Sequence, residues 1–179
     1  MVTANDQDIF NLSDIQHKLG VEQHKLIHLC EKGVIVPDFE DSAGRGTMRR
    51  FSERNLFEFA VALELRRFFL PVGYVAPIIQ VLRVFESYVA GELKVFSLPR
   101  SLQRKPQVGL RLLIIEGDLL FFGLRRHRES TFVGGISLAK LTKPKSGLFG
   151  GIETVKDDPS AEASSFLALD LNKIAAALV

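Results

Sequence analysis

The chain reads as an α+β protein, a mainly helical module followed by a small unit of strands with one helix. Three observations predict this. Residues 11–90 place apolar side chains at helical spacing among charged ones. Residues 109–171 place them in short runs separated by Gly and polar clusters. The stretch between, LKVFSLPRSLQRKPQVG, carries Pro99, Pro106 and four basic residues, and it reads as a connector. The expected division is therefore 1–90, a connector at 91–108, and 109–179.

Ser13-Asp14-Ile15-Gln16 has capping-box spacing, so Ser13 is expected to open the first helix. Leu12, Ile15 and Leu19 mark its apolar side and Gly20 ends it. A second helix is expected from Glu22 to Lys32, with Leu26, Leu29 and Cys30 inward and Gly33 just past its end. Val34-Ile35-Val36-Pro37 is a short extended piece. Asp38 to Thr47 is a polar loop with Gly44 and Gly46, and Met48 to Phe51 is the return arm of a hairpin. Ser52 caps a third helix, Glu53 to Phe69, in which Phe51 and Leu56 form a hydrophobic staple. Leu56, Phe59, Ala60, Leu63 and Arg67 follow its helical period until Pro71 stops it. A fourth helix begins near Tyr74, accommodates Pro77 in its first turn, buries Ile78, Val81, Leu82, Phe85 and Val89, and ends at Gly91.

In the second half, the runs 109–115 and 119–124 flank Glu116-Gly117-Asp118 as a hairpin. Its strands are apolar on both faces, so both need cover, either from the unit's own helix or from a partner subunit. Thr131-Phe132-Val133 and Leu148-Phe149 are weaker strand candidates, and the run 165–169 is a better one. Asp170 is placed to cap a last helix, Leu171 to Leu178, whose Ile174 and Leu178 would pack on the sheet. Arg125-Arg126-His127-Arg128 is a basic knot at a strand end. A solvated turn that keeps an edge from pairing is the reading preferred over an anion contact, and Lys140, Lys143 and Lys145 are read alike.

Composition narrows the classes. With 179 residues, 46% hydrophobic content and a mean hydropathy of +0.14, the chain can bury a core, which excludes disorder over most of its length. A single cysteine, Cys30, excludes an internal disulfide and a Cys-based zinc site. No run of 18 apolar residues exists and MVTANDQD lacks a signal-peptide core, so a cytoplasmic protein with no membrane partner is expected.

Helix, tight turn, helix, hairpin, helix, helix is the layout of a winged helix-turn-helix module. The segments LSDIQHKLGV (12–21), LIHLCEKGVIVP (26–37) and RRFSERNL (49–56) resemble the N-terminal DNA-binding domain of the MerR family of transcriptional regulators. The resemblance covers roughly residues 9–86 and rests on Gly20-Val21 in the turn, the Gly33-Val34-Ile35-x-Pro37 exit, and Arg49-x-Phe51-Ser52 closing the wing. It implies that the second helix enters the major groove of double-stranded DNA while the wing and the following helix grip the backbone. Base reading then falls to Gln23, His24 and Lys25, Gln23 being suited to adenine and Lys25 to a guanine edge or a phosphate. Backbone contacts fall to Arg45, Arg49, Arg50 and Arg54. Where the family usually carries Arg after Leu26, this chain has Ile27. A homodimer is expected because such readers bind paired half-sites. The family's long coiled-coil helix is not expected, since Gly91, Pro99 and Pro106 interrupt the run.

Charge is uninformative in total and informative by position. The net charge is +2, yet residues 1–85 hold 10 Lys+Arg against 11 Asp+Glu, with the basic residues gathered at 45–54. A local cluster of that kind can bind phosphate on a neutral domain. Other chemistries lack their constellations. His24 and His28 have a metal-ligand spacing without a third ligand, so no metal is expected. Gly44-Arg45-Gly46-Thr47 lacks the strand and helix of a phosphate loop, so no cofactor is implied. No nucleophile–base arrangement points to an enzyme. The expected function is a sequence-specific DNA-binding transcriptional regulator acting as a homodimer. The alternatives are a protein-interaction module using Ile27, Leu29 and Phe39, or a small-molecule sensor working through the C-terminal half.

Overall fold

A computed structural model of the chain describes residues 9–39, 49–93, 96–104, 108–141, 148–150 and 152–179. Helix α1 (Leu12–Leu19) is opened by Asn11 rather than the expected Ser13. Asn11 Oδ1 accepts from the Ser13 and Asp14 amides at 2.8 and 3.0 Å, and Asp14 accepts from the Asn11 amide at 2.8 Å. A capping box exists, but the Asn11 carboxamide upstream of the serine and the Asp14 carboxylate just after it fill it. Gly20 then takes a left-handed φ of +62°, which turns the chain into α2 (Gln23–Glu31) within a few residues. Helix α2 buries Leu26 and Leu29, while Cys30 is half-buried.

Beyond α2 the chain extends, and two isolated antiparallel bridges, Phe39 to Arg50 and Phe10 to Phe51, gather three chain segments beside it. Helix α3 (Glu53–Arg67) is capped by Ser52 as expected, with Asn55 in the reciprocal position. Every residue from Asn55 to Ala62 is buried, so α3 has no solvent face there and forms the central post of the helical half. It ends at Arg67, short of the expected Phe69, because Phe69 itself adopts a left-handed φ of +62° and closes the helix. Helix α4 (Val72–Glu92) starts before Tyr74, so Pro77 lies past its first turn and forgoes one backbone bond. Ile78, Val81, Leu82, Phe85 and Val89 are buried along it.

The connector is not a free linker where it is described. It contains α5 (Arg100–Arg104) and buries Phe96, Leu98 and Leu102. Strands β1 (Val108–Ile115) and β2 (Leu119–Arg126) make the expected hairpin. They are joined by β3 (Glu129–Ser137), the short β4 (Thr154–Val155) and β5 (Phe166–Asp170) in an antiparallel sheet of order β4-β3-β2-β1-β5. Strand β3 runs well beyond the three residues expected of it because Gly135, unpaired between Gly134 and Ile136, absorbs a register shift opposite Leu120 and Phe121. A Cβ at Gly134, whose φ is +151°, would lie 2.4 Å from the Leu120 carbonyl oxygen. Leu148-Phe149 is a turn rather than a strand, and its apolar character serves packing, with Phe149 buried. Asp170 caps α6 (Leu171–Ala176) as expected. That helix buries Leu171 and Ala175, leaving Ile174 and Leu178 half-buried at its edge.

One hydrophobic core runs through both halves of the sequence. The sheet face bearing Leu110, Leu112, Leu120 and Phe122 meets α4, where Phe85 stacks on Phe122 with ring centroids 4.4 Å apart. On the opposite face Leu113, Ile115 and Phe132 form a smaller cluster with Phe121 and Ala163, the latter from the segment that leads into β5. Cover for the doubly apolar strands therefore comes from within the chain on both sides. Among the described residues no helix is long and apolar enough to cross a membrane.

Candidate nucleic-acid interface

The residues flanking positions 40–48 are held by a buried polar network centred on α3. Asn55 is fully buried. Its Oδ1 accepts from the Asp38 amide at 2.8 Å and the Ser52 amide at 3.2 Å, and its Nδ2 donates to the Val36 carbonyl at 3.0 Å and to Glu58 at 3.1 Å. Arg83 reaches across from α4 and forks onto Glu58, with Nε and Nη2 at 2.5 and 2.6 Å from its two oxygens. The same guanidinium meets Asp38 at 3.2 Å and the Val36 carbonyl at 3.2 Å. Asp38 in turn accepts from the Ser52 hydroxyl at 2.5 Å. Two antiparallel segments are thus bolted to two helices. Burial pushes the Glu58 carboxyl above its usual range, against the pull of Arg83 and Asn55. Burial also works against the Arg83 charge, but Glu58 and Asp38 outweigh it.

The three expected base-reading side chains, Gln23, His24 and Lys25, are all exposed at the start of α2, above the buried Leu26 and Leu29. Glu22 is the N-cap residue and partners two of them. Its carboxylate lies 3.0 Å from the Lys25 ammonium and 3.7 Å from the His24 ring, and Lys25 holds the Glu22 carboxyl below its usual range. Gln23 is the residue of the three that Glu22 leaves alone.

The four arginines expected on the backbone separate. Arg45 lies outside the described residues. Arg49 and Arg50 are exposed, Arg50 being the residue bridged to Phe39. Arg49 also sits against α2: burial pushes the Cys30 thiol up, and the neighbouring Arg49 pulls it back. Arg54 is different. Its Nε lies 3.1 Å from Glu86 of α4, whose side chain is only 7% exposed, so the residue braces α3 against α4. The sequence expectation assigns it to the phosphate contacts, and the structure adds a buried carboxylate within its reach.

Glu86 also accepts from the Leu98 amide at 2.8 Å, tying the connector to the helices. Burial raises its carboxyl above the usual range despite Arg54 and that amide. A group whose folded pKa is raised contributes stability that is full below the unfolded value and is lost as pH rises through the folded one. Glu86→Gln, neutral at every pH, is therefore expected to compare better with the parent at pH 7 than at pH 4. Urea titrations at both pH values check this, and the reverse trend would show that pairing with Arg54 outweighs burial.

The structure also gathers residues that sequence reasoning missed. Beside α2, a groove of about 780 Å³ is bounded by the α1–α2 turn, the end of α3 and the end of α6. Lys18, Arg66 and Arg67 line it together with His24, Lys25 and His28. Arg67 follows the apolar period of α3 in the sequence, yet it is exposed, 2.8 Å from Glu64. The adjacent Arg66-Arg67 pair at a helix end was the available signal. Among the described residues no three His, Cys, Asp or Glu side chains gather to hold a metal ion. The chain matches no protein-family model and no curated protein.

Proposed function

We propose that the chain is a sequence-specific DNA-binding transcriptional regulator of the winged helix-turn-helix type, resembling the MerR family in residues 9–86 and acting as a homodimer. The observation that carries this reading is the outer face of α2. It offers Gln23, His24 and Lys25 to solvent, with Lys18, Arg66 and Arg67 around its start and Arg49 near its end. A short exposed helix with polar side chains at its N-terminus and cations at both ends suits a major groove flanked by phosphates. The protein-interaction alternative loses support, since Leu29, one of its three contact residues, is 3% exposed and belongs to the core. Exposed aromatics at the α3–α4 turn and on β5, notably Phe69 and Phe166, supply a surface on which a second copy can pack.

Selection of duplexes from a random pool, followed by fluorescence anisotropy at several salt concentrations, tests the reading. Enrichment of a palindromic site bound by two chains is the expected result. On that site Arg49→Ala with Arg50→Ala is expected to weaken binding to all sequences alike and to lower the salt slope by about two per bound chain, about four for the pair. Gln23→Ala is expected instead to relax one or two base positions, costing about 1–3 kcal/mol on the preferred site and little on random DNA. A pool that yields no motif would remove the proposal.

A further inference from the structure

We infer that the groove between α2, α3 and α6 is a binding site for a small amphipathic anion, an organic acid with an apolar body, and that its occupancy controls the α2 surface. The second part rests on the DNA-binding reading; the first does not. Four permanent cations, Lys18, Lys25, Arg66 and Arg67, line the groove against one carboxylate, Glu64. Two of those cations have acidic neighbours, Lys25 at Glu22 and Arg67 at Glu64. The Lys18 ammonium lies 5.4 Å over the Phe10 ring, and one Arg66 nitrogen donates to the Leu70 carbonyl; among the described residues neither is paired with a carboxylate. An excess of positive charge is thus built into the rim.

The floor is of the opposite character. Leu19, Val21, Leu63, Ile174 and Leu178 are half-buried and line the same space, with the buried Leu29 beneath. A volume of about 780 Å³ lies within the range of small-molecule sites, which are concave, mostly apolar and fitted with a few polar groups that orient the ligand. A nucleic-acid phosphate would use the rim and gain nothing from this floor. An acyl or aryl carboxylate uses both: the head pairs with the rim and the body covers leucines that are otherwise part-wet.

The placement gives the ligand a consequence. His24 and Lys25 line the groove and are also candidate base readers, so a carboxylate that pairs with Lys25 withdraws it from DNA. The far wall is α6, the last element of the chain, which also packs on α3, α5 and β1. Occupancy therefore bridges the reading helix and the sheet-bearing half.

Calorimetric titration of the full-length protein with decanoate, in the absence of DNA, tests the site. One decanoate per chain is expected to bind with a Kd on the order of 100 µM or tighter. Ala177 lines the groove from an exposed position, so Ala177→Trp fills the space without touching the core and is expected to weaken decanoate about tenfold or more. Lys18→Gln with Arg66→Gln is expected to weaken decanoate similarly while leaving the uncharged decanol within about twofold. No saturable binding, or binding that both variants leave unchanged, overturns the inference. A second arm repeats the duplex titration with decanoate present, where a weaker duplex Kd is expected. Decanoate that binds without changing duplex affinity overturns the control, whereas a chain that takes decanoate but no duplex overturns the DNA-binding reading alone.

Discussion

Replacing Arg83 by leucine is expected to cost about 3–5 kcal/mol of folding stability at neutral pH, the scale for stranding one member of a buried ion pair. Glu58 is 1% exposed, and Arg83 supplies both of its charged hydrogen bonds, leaving, among the described residues, the Asn55 amide if the guanidinium is removed. The loss should shrink as pH falls, because a protonated Glu58 no longer carries a buried charge. Burial already raises that carboxyl, so the gap narrows from the upper side of the usual carboxylate range downward. Urea unfolding at pH 7 and pH 5 measures it. Adding Glu58→Gln to Arg83→Leu should recover part of the stability, since the stranded charge disappears with its partner. A double variant as unstable as the sum of the singles would mean that Arg83 acts through Asp38 and Val36 instead.

Phe85→Ala is the other change with a large expected effect, about 3–5 kcal/mol for emptying a closed aromatic site. Phe85 is fully buried, stacks on Phe122 at 4.4 Å and meets Phe149 edge-on at 5.3 Å. The three rings join α4 to the sheet and to the turn after β3, so the cavity would open between the two halves of the sequence. Helical and strand amides are therefore expected to lose hydrogen-exchange protection together, in one cooperative transition. Retained protection in α3 with loss in β2 would instead mark the helical half as an independent folding unit.

The local signals in the sequence were strong where one residue type carries the physics. Ser52 and Asp170 cap the helices that they were expected to cap, and Gly20 turns the chain left-handed between α1 and α2. The β1–β2 hairpin follows from two apolar runs around Glu116-Gly117-Asp118. Misreadings arose where two local options competed or where a partner lay far along the chain. Asn11 and Ser13 are both good caps, and the side chain that found reciprocal bonding with Asp14 prevailed. Leu148-Phe149 looked like a strand because apolar pairs in strands and in buried turns are alike in sequence. That Arg54 meets Glu86, thirty-two positions away, is likewise invisible to local reading.

The same division applies to the candidate site. Gln23, His24 and Lys25 stand exposed where helical periodicity put them, because Leu26 and Leu29 fix which side of α2 turns inward. The groove beside them joins residues 18–29, 60–67 and 174–178, three stretches with no common sequence signature. By itself the sequence determined the α+β class, the helix starts and the outward face of α2, since caps, left-handed glycines and apolar periods act within a few residues. Only the tertiary structure decided the shared core, the buried Glu58–Arg83 pair and the cationic groove. Each of these depends on which distant side chains burial brings within a few ångströms of one another.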